Sequence, residues 1–336
     1  MLIGPVDLDR EVLVVAEIGN NHEGSFARAE EMIGRAAEAG AQAVKFQTIV
    51  PEQLVAADQS ARLATLRGFQ FTQTQFEALA GTARAAGVMF LSTPFDVDVV
   101  NWLAPLVPAF KIASGDNDFT PMLRAIAATG KPVIMSTGMA ELIEIASARD
   151  LLRSEWERRG LLDAGIALLH CVVSYPTLPA DANLAAISAL ASLGETIGYS
   201  DHTLGIEAAT LAVAAGARII EKHFTLDKKL SDFRDHQLSA DPDELSRLVH
   251  SVKHVQELMG ARGKHVAPVE LESLPAVRRG AYASRNLAAG SRLTAADVSY
   301  LRPRAGLSPA EIDQRFGMPL AKPAKAGEAL TAGHFL

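Results

Sequence analysis

Between Val12 and about Ala261 the chain alternates short apolar runs with longer stretches whose apolar residues recur every three or four positions. The short runs, residues 12–16, 43–46, 88–91, 109–112, 132–135, 166–169, 196–199 and 218–220, read as strands. Residues 27–39, 74–86, 140–158 and 243–259 read as amphipathic helices among the connections. Small residues with glycine (Ala39-Gly40, Ala86-Gly87, Thr129-Gly130, Ala215-Gly216) close many of the helical stretches, as helix C-caps do. Eight strand–helix units in roughly 250 residues is the count and size of a (β/α)8 TIM barrel, an α/β fold. The main rival is an open doubly wound sheet, but no glycine-rich dinucleotide fingerprint follows the first strand. Two connections after strands are unusually long, 48–73 and 225–241, and are where lids or specificity elements sit.

Helical periodicity stops near Gly263. Residues 263–277, with Pro268 and Pro275, read as a linker. Residues 278–336 differ in kind, with short apolar pieces, frequent Gly and Pro, and an internal echo. Ala289-Gly290-Ser291-Arg292-Leu293-Thr294-Ala295 is answered by Ala326-Gly327-Glu328-Ala329-Leu330-Thr331-Ala332. Two copies of A-G-x-x-L-T-A predict a small pseudo-symmetric module of loops and short strands. The expected organisation is a catalytic barrel over 1–262, a linker over 263–277 and a β-rich module over 278–336.

Composition narrows the functional classes. With 49% hydrophobic and 21% charged residues among 336, the chain is an ordinary globular one with a large core. A net charge of −7 without any lysine–arginine block argues against nucleic-acid and anionic-membrane partners. The single cysteine, Cys171, fits a reducing compartment. Asp7, Asp9 and Glu11 stand where a signal peptide is apolar, and no run has the length of a membrane span. A soluble, cytoplasmic protein is expected.

In such barrels catalytic groups collect at the C-terminal ends of the strands. Those positions deliver Glu17, Lys45 with Gln47, Ser92-Thr93, Lys111 with Ser114 and Asp116, Ser136-Thr137, His170 with Tyr175, Ser200-Asp201-His202, and Glu221-Lys222-His223. All eight ends present charged or hydroxyl side chains, including lysines that a core does not accept unpaired. Lys45 and Lys111 with the hydroxyls of Ser114, Ser136 and Ser200 suit a phosphate that is gripped and later released. The bland reading pairs a lysine with Glu17 or Glu221 to balance the barrel mouth.

The last two strands are parallel neighbours about 5 Å apart, joined by a helical run over 206–215. Their matching ends carry His202 and His223, which can share a metal ion. The alternative is a helix-capping His202 and a core-packed His223. Two imidazoles leave coordination sites open for Lewis-acid chemistry, and nitrogen ligands favour Mn, Co, Fe or Zn over Mg. Glu221 and Asp201 are candidates to orient those ligands from behind.

Eight motifs in order carry a family resemblance: Glu17-Ile18-Gly19-Asn20-Asn21-His22-Glu23-Gly24, Val44-Lys45-Phe46-Gln47-Thr48, Ser92-Thr93-Pro94-Phe95, Lys111-Ile112-Ala113-Ser114-Gly115-Asp116, Ser136-Thr137-Gly138-Met139, Tyr175-Pro176, Gly198-Tyr199-Ser200-Asp201-His202-Thr203 and Glu221-Lys222-His223-Phe224. Over nearly its whole length the chain resembles the sialic acid synthase family, and residues 278–336 resemble that family's C-terminal antifreeze-like (SAF) domain. The resemblance implies a transferase that condenses phosphoenolpyruvate with an N-acetylated amino sugar such as N-acetylmannosamine, giving a nine-carbon 2-keto acid and phosphate. It implies that His202 and His223 hold a divalent metal, manganese ahead of magnesium or cobalt. It also implies that Lys45, Thr93, Lys111, Ser114, Ser136 and Ser200 surround phosphoenolpyruvate, and that Gln47, Asp116, Tyr175 and Asp235 face the sugar. Arg302 would reach the site of a partner subunit in a domain-swapped homodimer. Glu17, Asp116 and Glu221 are the carboxylates available to manage protons.

Three positions depart from the family pattern: Phe233-Arg234 before Asp235, Val172 after Cys171, and Asp116 where some members carry glutamate. The first two lie where sugar substituents are read and the third moves a carboxylate by one methylene, so a 2,4-diacetamido sugar leading to legionaminic or pseudaminic acid stands as the alternative. A 3-deoxy-ulosonate synthase taking a sugar phosphate would need a second cationic pocket beyond Arg234 and Lys228-Lys229. A non-catalytic sugar-binding barrel would have lost a histidine or lysine, and none is lost.

Overall fold

The computed structural model describes residues 1–261 and 263–335; Arg262 and Leu336, which close the expected first and last segments, lie outside the described residues. The chain separates into two compact units, Met1–Gly260 and Ala261–Leu336.

The first unit is built on eight strands: β1 Leu13–Gly19, β2 Ala43–Thr48, β3 Met89–Pro94, β4 Phe110–Ile112, β5 Val133–Ser136, β6 Ile166–Cys171, β7 Thr196–Asp201 and β8 Ile219–His223. Every ladder is parallel, and the order runs β3-β2-β1-β8-β7-β6-β5-β4. β3 and β4 lie side by side without a ladder, so the barrel is nearly closed.

Several strands outrun the apolar runs that announce them. β7 continues through Ser200 and Asp201 and β8 through His223, because backbone pairing is indifferent to side-chain polarity: Glu221 still sits opposite Ser200, and His223 opposite Glu17. Along each strand alternate side chains point to opposite faces. Inward go Leu13, Val15, Ala43, Leu91, Ala109, Ile134, Leu169 and Ile219, forming a core inside the barrel. Outward go Val14, Val44, Phe46, Phe90, Phe110, Leu168 and Tyr199, packed against the helices. Gly198 is needed where β7 crosses this interior, since a Cβ there would lie 2.3 Å from Leu169 Cδ2 and 2.6 Å from the Ile219 carbonyl oxygen. An N-terminal hairpin, Leu2–Ile3 with Val6–Asp7, places Ile3, Val6 and Leu8 in the same inner cluster. Two-residue strands leave no periodicity, and sequence reading passes over them.

The helices start where caps dictate. Ser25 accepts from the Arg28 N–H ahead of Phe26–Glu38, Thr72 and Gln75 form a capping box ahead of Gln73–Ala85, and Asp241 caps Pro242–Met259. Pro242–Met259 buries Leu245, Leu248, Val249 and Val252, a stripe at helical spacing. The two long connections are less irregular than expected. The first holds helices Pro51–Leu54 and Ser60–Phe69, the second a turn of helix at Asp235–Leu238. Ser60–Phe69 buries only Leu63, so it carries no stripe for the sequence to show.

In the second unit the expected linker contains two helical turns, Pro268–Leu271 and Leu274–Val277. Beyond them β9 (Gly280–Ala283) pairs antiparallel with β10 (Val298–Leu301). The sequence echo is a structural one. Gly290 and Gly327 take φ of +85° and +82°, Leu293 and Leu330 are buried in one cluster, and Thr294 and Thr331 each cap a short 3-10 turn.

Candidate active site

Inward positions nearer the C-terminal ends of the strands stop being apolar. Glu17, Lys45, Thr93, Lys111, Ser136, Ser200 and Glu221 follow the inner core on the same face, and all are buried. Glu17 is the register partner of Lys45, and Ser200 of Glu221. The charged groups alternate in sign. Lys45 Nζ lies 2.6 Å from Glu17 Oε2 and 3.8 Å from Glu221 Oε1, and Lys111 Nζ lies 3.9 Å from the same Glu221 oxygen. Hydroxyls complete the array: Lys45 donates to Thr93 Oγ1 (3.1 Å), Lys111 to Ser136 Oγ (2.6 Å) and the Ile112 carbonyl (3.0 Å), and Ser200 to Glu221 Oε1 (3.1 Å). Gln47 donates to Glu17 Oε1 (3.1 Å) and accepts from Asn20 (2.8 Å).

Burial sets the protonation of this array. Glu17 is pushed up to about 7 by burial and by the negative charge of Glu221, against the pull of Lys45. Glu221 lies below the usual carboxylate range, because Lys111 and Lys45 outweigh its burial. Burial depresses Lys111, with Lys45 adding to the fall against Glu221, whereas at Lys45 the two carboxylates outweigh burial and raise it. With all four ionised the array is neutral; with Glu17 protonated it is cationic.

Above this floor stand the imidazoles. His202 and His223, 5% and 7% exposed, have ring centroids 5.3 Å apart. His202 Nδ1 donates to the Val172 carbonyl (2.8 Å), which leaves Nε2 to face the cavity; the buried His223 Nδ1 has no partner among the described residues. Burial and the neighbouring His202 hold His223 well below the ordinary range, so it is a neutral ring. His202 differs: burial lowers it, but the Cys171 sulfur 3.8 Å from Nδ1 and the Val172 carbonyl outweigh burial and raise it, so a metal on its Nε2 competes with a proton. Two ring nitrogens, one orphaned among the described residues and one oriented by a carbonyl behind it, fit a divalent ion once that proton is displaced. Among the described residues no group of three or more His, Cys, Asp or Glu gathers to hold a metal, and these two stand as a pair.

Tyr175 packs on His202 (centroids 4.2 Å apart), and the Arg234 guanidinium lies 4.7 Å above the Tyr175 ring while its Nε bonds Asp235 (3.2 Å). Ser114 accepts from the Gly138 N–H (3.1 Å), and Asp116, in the turn Ser114–Asp116, has a buried oxygen without a partner among the described residues. Burial and Asp118 raise the Asp116 carboxyl. Tyr175, Arg234, Asp235, Ser114 and Asp116 line one cavity of about 870 Å³ together with the charged array, Gln47 and both imidazoles. Arg302 belongs to the second unit, exposed just after β10.

The strand ends do not all face this cavity. Ser92, Thr137, His170, Asp201 and Lys222 point away: Ser92 bonds Thr48 (2.7 Å), Thr137 the Leu169 carbonyl (2.9 Å), and His170 the Ala182 carbonyl (2.8 Å). Asp201, expected behind the histidines as a ligand orienter, instead pairs with Lys222 at 2.8 Å, both fully buried. A period of two sends neighbours to opposite faces, so only half of each polar burst reaches the site. Sequence reading missed Asn20, Arg62, Cys171 and Phe69 on the cavity wall. Asn20 and Cys171 lie within or beside recognised motifs, whereas Arg62 and Phe69 arrive on the weakly patterned helix Ser60–Phe69.

With this geometry in place, comparison with known proteins decides the family. Residues 32–264 match the NeuB family and residues 278–336 match the SAF domain. The chain belongs to the NeuB family. This NeuB-family enzyme is 36% identical to the N,N'-diacetyllegionaminic acid synthase of Legionella pneumophila over 96% of its own length and 94% of that protein's. It is 33% identical to the mouse N-acetylneuraminate-9-phosphate synthase, over 84% and 80% of the two chains. The crystal structure of the N-acetylneuraminic acid (sialic acid) synthetase of Leptospira borgpetersenii, in complex with citrate, superposes with a TM-score of 0.76 at 36% identity, covering 81% of this chain and 94% of that one.

Proposed function

We propose that this enzyme condenses phosphoenolpyruvate with the open-chain aldehyde of an N-acetylated amino sugar, giving a nonulosonic acid and phosphate. The alternating Glu17–Lys45–Glu221–Lys111 array carries the reading, because it sets two ammonium groups and several hydroxyls at the bottom of a sugar-sized cavity. Phosphoenolpyruvate binds over Lys45 and Lys111, with Thr93, Ser114, Ser136 and Ser200 as hydroxyl partners. Gln47, Asp116, Tyr175 and Asp235 face the sugar, and Arg302 is contributed by a partner subunit. A divalent ion on His202 and His223, manganese by family resemblance, would supply Lewis acidity at the aldehyde oxygen.

The reaction forms a bond from C3 of phosphoenolpyruvate to the aldehyde carbon, and the aldehyde oxygen takes up a proton. Water adds to C2 and gives its proton to a carboxylate. Glu17, pushed up to about 7 by burial, is the carboxylate we assign to that exchange. The C2–O bond to phosphate then breaks and its electrons leave with phosphate, which also takes the proton of the C2 hydroxyl as that group becomes the ketone. Lys45 and Lys111 hold the phosphate as charge develops on it.

Similarity to the Legionella enzyme along almost the full length of both chains favours a 2,4-diacetamido sugar as a second reading beside N-acetylmannosamine. A phosphate-release assay with phosphoenolpyruvate and a panel of 2-acetamido and 2,4-diacetamido hexoses decides between them; no release with any aldehyde, metal supplied, refutes the proposal.

Charge supports the homodimer. Residues 278–336 carry nine Lys/Arg against four Asp/Glu, and residues 1–277 carry 23 against 35. Attraction between the small unit of one copy and the barrel of another would weaken with salt. Sedimentation velocity at 0.05 and 1 M salt is expected to show a dimer that loosens; a monomer at both refutes it.

A further inference from the structure

We propose that Glu23 and His236 form a clasp that positions the sugar-side loop of the cavity, and that residues 20–24 act as the anchor for both long connections. The inference rests on the proposed reaction. His236 is completely buried; its Nε2 donates to Glu23 Oε1 (2.9 Å) and its Nδ1 meets the Thr225 hydroxyl (2.7 Å). Ser231 donates to the same Glu23 oxygen (2.9 Å). Glu23 itself sits at φ +47°, a left-handed conformation that is unfavourable for glutamate and that its cross-chain partners hold in place.

Its neighbours work on the same loops. Asn21 donates to the Phe224 carbonyl (2.8 Å) and to Ser239 Oγ (2.9 Å), at the two ends of the β8 connection. His22 stacks on Phe71, with centroids 4.3 Å apart, just beyond helix Ser60–Phe69. A Cβ on Gly24, at φ +76°, would lie 2.0 Å from the Gly68 carbonyl oxygen in that helix.

Between Ser231 and His236 lie Asp232, Phe233, Arg234 and Asp235, all of which line the cavity. Phe233 in turn meets Phe69 edge-on at 5.3 Å. Releasing the clasp therefore frees the sugar-facing side while leaving Lys45 and Lys111, held by strands, in place. Glu23 touches no reacting atom in this scheme; it is a positioning residue.

The test is steady-state phosphate release with metal supplied, varying each substrate, together with hydrogen exchange of residues 225–241 in substrate-free protein. For Glu23→Ala the expected result is a KM for the sugar raised about tenfold, a KM for phosphoenolpyruvate changed less than about twofold, and faster exchange over 225–241. Glu23→Gln keeps an oxygen acceptor for His236 and Ser231 and is expected to stay within about threefold of the parent protein. His236→Gln, which tests the other half of the pair, is expected to resemble Glu23→Ala. Equal rises in both KM values, no change in either, or unchanged exchange would overturn the clasp. If the parent protein turns over none of the sugars, the reaction proposal fails, and the exchange measurement alone still decides the clasp.

Discussion

Replacing Lys222 with methionine tests how the barrel holds its two histidines. Lys222 and Asp201 are both fully buried and 2.8 Å apart. Lys222 also donates to the Thr203 carbonyl (2.5 Å), and the second Asp201 oxygen accepts from the Thr203 N–H (2.8 Å). Methionine matches the stem of lysine but leaves the Asp201 carboxylate with an uncompensated charge away from water. Breaking a buried pair on one side costs about 3–5 kcal/mol, while replacing both partners by neutral groups is often close to neutral. For a unit the size of Met1–Gly260, each kcal/mol moves the melting temperature by about 2–4 °C, so Lys222→Met is expected to lower it by about 6–20 °C. Asp201→Asn with Lys222→Met removes the stranded charge and keeps an oxygen for the Thr203 N–H, and should recover much of that loss. Scanning calorimetry at several heating rates guards against irreversible unfolding. Because His202 follows Asp201 and His223 follows Lys222, titration calorimetry should show weaker Mn2+ binding in the single variant. A melting temperature within about 2 °C of the parent protein, or a double variant as unstable as the sum of the two singles, refutes the reasoning.

Two further outcomes follow from the cavity. His202→Ala or His223→Ala should abolish Mn2+ binding by titration calorimetry and leave the metal-free melting temperature within about 2 °C, since each ring lines a cavity instead of filling a core; undiminished turnover in chelated buffer would refute the metal assignment. Glu17, raised to about 7, binds a proton in the folded state that the unfolded chain has released, so its contribution to stability is complete below about pH 4.5 and is lost as pH rises through 7. Glu17→Gln should flatten the stability profile over that window, and an unchanged slope would show that another group titrates there.

Strand and helix periodicities are local, and they were enough for the barrel, the repeated module beyond it and the identity of the rim residues. Each polar burst was legible as a burst because lysines and histidines at the ends of apolar strands have few structural uses. Which member of a burst enters the cavity was not legible. One residue of register separates Glu221, between two lysines, from Lys222, behind the sheet, and only pairing with β7 and β1 decides it. The helix Ser60–Phe69 and the pairing of Glu23 with His236 were likewise hidden, since their partners lie across the chain and leave no spacing to read. Charge state belongs to the same class. Glu17 has an ordinary carboxyl until closure of the barrel strips its water and sets Lys45 and Glu221 beside it, so the chain dictates which groups are present and the tertiary structure dictates what each one does.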